Sequence, residues 1–200
     1  MAGFHLSDIP LDFLRGCTLD FDLRTGLSSM VDTGKRYLSQ MQGMFSDTAA
    51  FKAALEKGDP LLYEFHGLPL PETAGDLAFG CSILNPGKVG EEYYFTKGHF
   101  HTILDTAEVY YCLNGHGYLL LENPEGDWSG QELLPGRVVY VPKRYAHRSI
   151  NVSPDEQLVT FFVFRADAGH DYGTIETKGY RKLLVERDGV PTIIDNPNWK

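Results

Sequence analysis

Three histidines and one glutamate stand at intervals that could bring them to one metal ion. His99 and His101 are two residues apart, so in a β-strand their imidazoles leave the same face. Glu108 lies nine positions beyond His99, and this odd interval would turn it to the opposite face of a continuous strand. The chain must therefore bend between them, and Asp105-Thr106 supplies turn chemistry.

A second strand, from about residue 107 to residue 113, would return Glu108 to the imidazoles. His147 then completes a set of three neutral imidazoles and one carboxylate, which suits a divalent transition metal. Taken singly, a His-x-His pair occurs by chance, and a glutamate is usually a solvated strand residue. The joint pattern favours a metal site made by His99, His101, Glu108 and His147.

Residues close to these four could contact a substrate. Tyr110 and Cys112 share the face of Glu108, so they point inward if it does. Cys112 is interpreted as core packing, whereas the Tyr110 side chain could either pack or offer its hydroxyl to a sugar oxygen.

Two other segments carry groups that could do chemistry. Thr96-Lys97-Gly98 combines a hydroxyl, a cation and a glycine, which could form an anion cradle, although a plain β-turn is the alternative. The loop 169–173 contains His170 between glycines. A loop histidine of this kind is either solvated or, beside the mouth of a metal site, catalytic.

Composition limits the classes of function. The 200 residues carry a net charge of −9 and no block of Lys or Arg, so we expect neither non-specific nucleic-acid binding nor membrane attachment. With 42% apolar residues the chain can bury a core, and its length fits one domain. Cys17, Cys81 and Cys112 are odd in number and widely spaced, which suits a reducing cytoplasm. We expect no signal peptide and no transmembrane segment.

The pattern of elements predicts an all-β fold with a few N-terminal helices. A helix is expected at 48–57 with Ser46 as its N-cap, a weaker one within 28–42, and an edge strand at 18–23. Short strands separated by Gly and Pro turns indicate a sandwich or jelly-roll barrel. These strands are expected at 61–65, 77–84, 93–96, 109–113, 118–122, 137–141 and 158–164, with a hairpin around Asp188-Gly189.

Two ordered blocks resemble the cupin superfamily. The first runs from Thr96 to His101 with a long interval to residues 107–110, and the second covers residues 135–148, followed by Asn151. Together with residues 166–175, they are similar to the cupin-type glucose-6-phosphate isomerases of archaea and some bacteria. The resemblance implies a cupin jelly-roll barrel over residues 61–200, with residues 1–60 as an extension whose short helices pack on it.

The resemblance also implies an activity and a site. It implies a cytoplasmic homodimer that interconverts glucose 6-phosphate and fructose 6-phosphate in glycolysis and gluconeogenesis, with one divalent metal per subunit. The metal would be iron(II) first, with manganese, nickel or zinc as alternatives, and its ligands would again be His99, His101, Glu108 and His147. Catalytic roles would fall on Glu108, Tyr110 and His170. Substrate contacts are assigned to Tyr63, Ser82, Thr96, Lys97, Gly98, Tyr110, His170 and Tyr172. Phe164 stands where some members carry tyrosine, and Ser82 where some carry threonine.

Two reaction routes and several other functions remain open. Glu108 could act as the base of an enediol route, which we favour, or a hydride could shift between C1 and C2 without a carbon base. The same four ligands would also suit a metal-dependent dioxygenase or an oxalate-type cupin. Another sugar-phosphate isomerase or epimerase, or a non-enzymatic sugar-binding cupin, are further alternatives. Mannose 6-phosphate could be an additional substrate.

Overall fold

Antiparallel strands are the main regular structure of residues 12–199, the part of the chain described by the computed structural model. The strands are β1 (Gly34–Tyr37), β2 (Leu61–Phe65), β3 (Leu77–Leu84), β4 (Lys88–Val89), β5 (Glu92–Tyr93), β6 (Glu108–Asn114), β7 (Gly117–Glu122), β8 (Trp128–Leu133), β9 (Val138–Val141), β10 (Ala146–Asn151), β11 (Leu158–Arg165), β12 (Lys182–Arg187) and β13 (Val190–Asp195). The helices are α1 (Thr48–Lys57) and α2 (Gly173–Lys178), with 3-10 turns at Leu38–Met41 and Ala166–Ala168.

Two of the sheets face one another across the core. One has the order β1-β2-β3-β11-β6-β9 and the other β10-β7-β8. Phe95 and His99 form bridges to Ile150 and His147 of β10, so the segment 95–99 acts as a fourth strand of the second sheet. The orders β3-β11-β6-β9 and 95–99-β10-β7-β8 make an eight-stranded, double-sheet jelly roll. The predicted all-β cupin jelly roll is confirmed.

The direction of side chains on β6 follows the predicted alternation. Glu108, Tyr110 and Cys112 are buried, whereas Val109 and Tyr111 between them are exposed. The turn at residues 102–105 reverses the chain just before this strand. Glu108 therefore enters the interior, as its interval from His99 required.

The first helix is confirmed, but its cap is not the predicted residue. Asp47, not Ser46, is the N-cap of α1, because its carboxylate accepts a hydrogen bond from the backbone N–H of Ala50 at 2.8 Å. Ser46 instead donates its hydroxyl to the buried Glu92 carboxylate at 2.9 Å. The serine side chain is thus used to pair a buried charge.

Two predictions for the N-terminal region are wrong. The helix expected within 28–42 is replaced by β1 and a 3-10 turn, because β1 pairs with β2 along its whole length. Residues 18–23 form no strand. The Asp22 carboxylate there accepts a hydrogen bond from the backbone N–H of Thr25 at 2.7 Å and fixes a turn.

Strand β1 also bears on the division of the chain. It lies before residue 60, the expected end of the N-terminal extension, yet it is an outer strand of the six-stranded sheet. Any division at residue 60 therefore leaves one strand of this sheet in the extension.

Most strands expected beyond residue 60 match the structure to within one residue at each end. The exception is the strand expected at 93–96, where β5 ends at Tyr93 and Phe95 forms only an isolated bridge. The hairpin is confirmed, since Arg187 pairs with Val190 around Asp188 and Gly189, which both have positive φ angles. Strands β4, β8 and β10 were not predicted. Within residues 12–199, no helix has both the length and the apolar character that crossing a bilayer would require.

Candidate metal centre

The four predicted ligands meet between the two facing sheets. His99 and His147 are bridge partners at the edge of the second sheet, whereas Glu108 begins β6 of the first sheet. One ligand atom from each of His99, His101, Glu108 and His147 lies within 4.8 Å of all the others. The Glu108 Oε2 atom is 2.9 Å from His147 Nε2 and 3.2 Å from His101 Nε2.

These ligand atoms are buried without hydrogen-bond partners. The Nε2 atoms of His99, His101 and His147 and Oε2 of Glu108 all lack a partner of normal geometry among the described residues. A buried polar atom without a partner loses about 1–3 kcal/mol of solvation, so four at one point are unfavourable as they stand. Their donor chemistry fits a divalent transition metal, and the cluster could hold one.

The opposite ring nitrogens fix the orientation of two imidazoles. His101 Nδ1 lies 3.3 Å from the carbonyl oxygen of Gly169, and His147 Nδ1 lies 3.4 Å from that of Tyr145. Because a carbonyl can only accept, each Nδ1 carries the hydrogen and leaves the lone pair on Nε2. Both Nε2 atoms are therefore in the form that binds a metal.

The electrostatics of the cluster keep the ligands in metal-binding form. Burial alone would raise the pKa of Glu108, but His147 and His101, when protonated, outweigh it through their charge and their N–H groups and hold that pKa far below its usual range. Burial, assisted by His147 and His170, holds the pKa of His99 well below 6.5. Glu108 is thus ionised and His99 neutral near pH 7.

A cavity of about 320 Å³ opens onto the cluster. All of the residues predicted to contact substrate line it, together with three of the four predicted ligands, His99, Glu108 and His147. These contacts are Tyr63, Ser82, Thr96, Lys97, Gly98, Tyr110, His170 and Tyr172. Phe164, where the family resemblance had suggested a tyrosine in some members, lies in the same wall.

The segment Thr96-Lys97-Gly98 is an irregular connection between the bridge residues Phe95 and His99, not the β-turn considered as its alternative. Thr96 Oγ1 accepts a hydrogen bond from the backbone N–H of Ser149 at 3.0 Å, and the backbone N–H of Lys97 donates to the Tyr63 hydroxyl at 3.4 Å. Gly98 has φ +74°, a conformation that favours glycine. The Lys97 ammonium forms an ion pair with Glu176.

Tyr110 and His170 approach the cluster from different directions. Tyr110 is buried, and burial together with the neighbouring Glu108 carboxylate raises its pKa well above 10.0. His170 is exposed at the cavity mouth, with its ring centroid 4.3 Å from that of His99, and it stacks on Tyr172 at 5.7 Å. The loop 169–173 is held there by the pairing of Asp171 with Phe100.

Sequence reasoning missed four polar residues of the cavity wall, which are Arg36, His66, Glu72 and Ser149. Arg36 belongs to β1, which had been interpreted as helical, so its inward direction was not foreseen. His66 follows β2 and is buried, with its ring 5.0 Å from that of Phe21. The alternation of β2 would have placed His66 on the face opposite Tyr63 and Phe65, so it gave no signal for a position in the cavity wall.

Comparison with known proteins gives a consistent family. The family model described as glucose-6-phosphate isomerase matches residues 35–200. A glucose-6-phosphate isomerase of Pyrococcus furiosus is 47% identical over 185 residues, covering 92% of this chain and 96% of that protein. One of Thermococcus kodakarensis is 44% identical, covering 95% of this chain and all of that protein. A solved oxalate decarboxylase is 22% identical with a TM-score of 0.41, and covers 52% of this chain and 26% of that one. The chain therefore belongs to the glucose-6-phosphate isomerase family.

Proposed function

We propose that this protein is a metal-dependent isomerase that interconverts glucose 6-phosphate and fructose 6-phosphate. Family membership supports the reaction. The observation that carries the dependence on a metal is the meeting of four buried, unpartnered ligand atoms within 4.8 Å at a cavity of about 320 Å³. A hexose phosphate suits a cavity of this size with polar groups on several sides.

The metal would be held by His99, His101, Glu108 and His147, with iron(II) as the first candidate and manganese, nickel or zinc as alternatives. This preference for iron comes from the family resemblance, because three imidazoles and a carboxylate accept any of these ions. When bound, such an ion supplies polarisation of the substrate carbonyl and stabilisation of the developing oxyanion.

The remaining chemistry falls to the residues around the ligands. We favour proton transfer between C2 and C1 through an enediol, with Glu108 as the base that takes the C2 hydrogen. The low pKa of Glu108 makes it a weak base, which keeps the hydride shift as the second route. Tyr110 keeps its proton at neutral pH because its pKa is raised, so its hydroxyl can donate to a substrate oxygen. Substrate deuterated at C2 separates the routes, since complete retention of deuterium in water would favour the hydride shift.

The isomerase assignment is tested with fructose 6-phosphate in a coupled assay. EDTA should abolish turnover, and reloading with iron(II) or manganese should restore it. His147→Ala should stay inactive after reloading and bind less metal, whereas His116→Ala, on the surface beside Glu132, should match the wild type. Full turnover by metal-free protein would overturn the proposal, and oxygen uptake on addition of substrate would favour a dioxygenase.

We also propose a homodimer, formed through an exposed apolar face. Val109 and Tyr111 of β6 lie opposite Tyr140 and Val138 of the outer strand β9. Their exposures are 37%, 40%, 62% and 61% in that order, and together they form a continuous apolar surface at the edge of the sheet. Tyr140→Glu should convert the dimer to monomer in analytical ultracentrifugation, and an unchanged sedimentation coefficient would exclude this face.

A cytoplasmic location is proposed on the state of the cysteines. Cys17, Cys81 and Cys112 are all free, as suits a reducing compartment. Fractionation of cells followed by immunodetection tests this location.

A further inference from the structure

We propose that Arg36 is the cationic residue that binds the phosphate group of the substrate and so selects phosphorylated sugars. This inference rests on the proposed function, because it assigns one end of the substrate to one side of the cavity. A phosphate dianion leaving water for a cavity is best matched by a cation with several hydrogen-bond donors.

The cavity wall offers two cationic side chains, Arg36 and Lys97. Lys97 is already engaged, because its ammonium group forms an ion pair with Glu176 and lies 5.5 Å from the ring centroid of Tyr172. None of the ion pairs found within residues 12–199 includes Arg36. Its positive charge is therefore available to an anion that enters the cavity.

Strand register directs Arg36 toward the cavity interior. Arg36 lies directly opposite Tyr63 in the pairing of β1 with β2, so both side chains leave the same face of the sheet. Phe65 follows Tyr63 by two and shares that face, with its ring centroid 6.0 Å from the guanidinium carbon of Arg36. Ser82 of β3 lies opposite Phe65 and shares the face as well. Arg36, Tyr63 and Ser82 thus present a guanidinium and two hydroxyl groups on one wall.

The hydroxyl of Tyr63 connects this wall to the segment beside the ligands. It accepts a hydrogen bond from the backbone N–H of Lys97 at 3.4 Å. Burial raises the pKa of Tyr63, while the positive charge of Arg36 acts in the opposite direction, as expected for a guanidinium close to the phenol. The Tyr63 hydroxyl therefore lies close to both the guanidinium of Arg36 and the backbone N–H of Lys97.

The metal-ligand cluster and Arg36 lie at different ends of the cavity. Glu108 belongs to β6, and strands β2, β3 and β11 separate it from β1 in the sheet. A substrate with its carbonyl end at the four-ligand cluster would direct its far end toward Arg36. Arginine suits that end better than lysine, because its planar group can bind two phosphate oxygens at once.

The test compares Arg36→Met and Arg36→Lys with the wild type, all as full-length, metal-loaded protein. We expect Arg36→Met to raise KM for fructose 6-phosphate by about 10- to 100-fold, the range for a lost charged hydrogen bond, with kcat little changed. Arg36→Lys should recover part of the loss. The constant for competitive inhibition by inorganic phosphate should rise in Arg36→Met by a similar factor.

A matched control lies next to Arg36 on the same strand. Lys35 is exposed, carries the same charge and points to the other face of β1. Lys35→Met should leave KM, kcat and phosphate inhibition unchanged. An equal effect of Lys35→Met would show that overall charge matters rather than a phosphate contact, and would overturn the inference.

Phosphate binding and isomerisation can be measured separately, so the role of Arg36 and the isomerase activity are tested independently. Phosphate binding can be measured by calorimetry on wild type and Arg36→Met without any turnover. A wild type that binds phosphate through Arg36 but does not isomerise fructose 6-phosphate would contradict the function alone. An active Arg36→Met variant with wild-type KM and phosphate affinity would overturn the role of Arg36 alone. If Arg36→Met lost both kcat and its bound metal, Arg36 would be a structural residue, and its role in phosphate binding would be overturned.

Discussion

The guanidinium of Arg148 donates a hydrogen bond to the carbonyl oxygen of Lys97 at 2.9 Å. Arg148 directly follows His147, and Lys97 lies two residues before His99. The bond therefore ties together the two segments that carry these imidazoles. It adds to the direct bridge between His99 and His147.

Arg148→Met should destabilise the protein strongly. Its guanidinium lies between the rings of Phe95 and Tyr180, at 4.0 and 4.2 Å from their centroids. Its positive charge also acts on the buried carboxylate of Glu92 and, together with Arg181, on that of Glu122. Removing one member of a buried set of charges lowers the free energy of unfolding by about 3–5 kcal/mol, measured in denaturant.

Arg148→Lys and Arg137→Met are the comparisons for that variant. The lysine keeps the charge but loses planar stacking, so its loss should be intermediate. Arg137→Met removes a largely exposed pair with Glu132 and should change stability by less than about 1 kcal/mol. Similar losses for Arg148→Met and Arg137→Met would contradict the structural role of the buried guanidinium.

Gly98→Ala should damage the segment that carries His99. A Cβ at this position would lie 2.9 Å from Arg148 Cβ and 2.9 Å from the carbonyl oxygen of His147, both inside normal contact distance. We expect a loss of stability of about 1–3 kcal/mol from overpacking, beyond the backbone strain, and weaker metal binding. Thermal unfolding and metal titration measure the two effects.

Gly136→Ala separates the cost of a left-handed backbone from the cost of steric overlap by the added Cβ. Gly136 has φ +89°, close to the +74° of Gly98, but a Cβ there would meet no atom within 4 Å among the described residues. It should lose about 1–2 kcal/mol from the left-handed backbone and keep its metal affinity. Equal behaviour of the two variants would show that the crowding at Gly98 is unimportant.

Tyr110→Phe should lower activity while leaving the metal in place. The hydroxyl is buried beside Glu108 and lines the cavity, and losing one such donor lowers kcat by about 100-fold in comparable sites. Tyr111→Phe is the control, since Tyr111 is the next residue on β6 and faces outward. The measurements are kcat and metal content, and a fully active Tyr110→Phe would remove the hydroxyl from the reaction.

The stability of the metal-free protein should fall as the pH drops below 6.5. Burial lowers the pKa of His66 below 6.5 despite the opposing effect of Glu64, and burial lowers that of His99 further. Below pH 6.5 the unfolded chain binds protons that the folded chain does not. Each such group can therefore remove up to about 1.4 kcal/mol per pH unit until its folded pKa is reached.

His66→Phe tests the contribution of one of these groups. Phenylalanine can pack against Phe21 without titrating, so the variant should lose less stability than the wild type between pH 7.5 and pH 5.5 in urea unfolding. An identical decline in the two proteins would show that His66 does not take part.

The ligand set could be predicted from the sequence because it depends on local periodicity. The spacing of His99, His101 and Glu108, together with a turn, determined which faces they share, and β6 alternates as expected. Tyr110 was placed by the same rule. Helix α1 was predictable too, although the choice between Ser46 and Asp47 as its cap depended on a distant carboxylate, that of Glu92.

Elements that depend on distant partners could not be predicted in this way. β1 is only four residues long, Gly34–Tyr37, and has no apolar alternation, so its pairing with β2 alone makes it a strand. Arg36 was missed for that reason. All six residues of β10 are buried, which removes the alternation that marks a strand. At residues 18–23 the reverse happened, because hydrogen bonds to Asp22 overrode an alternating pattern.

The meeting of ligands from opposite sheets has a consequence for how the protein withstands heat. An ion bound by Glu108 of one sheet and His147 of the other would cross-link the two sheets. This cross-link would be absent from the unfolded chain. At a free-ion concentration a thousand times the dissociation constant, binding raises the free energy of unfolding by about 4 kcal/mol. The unfolding temperature in the cell would then depend on the supply of metal. A cell short of that metal would lose folded protein as well as catalytic activity.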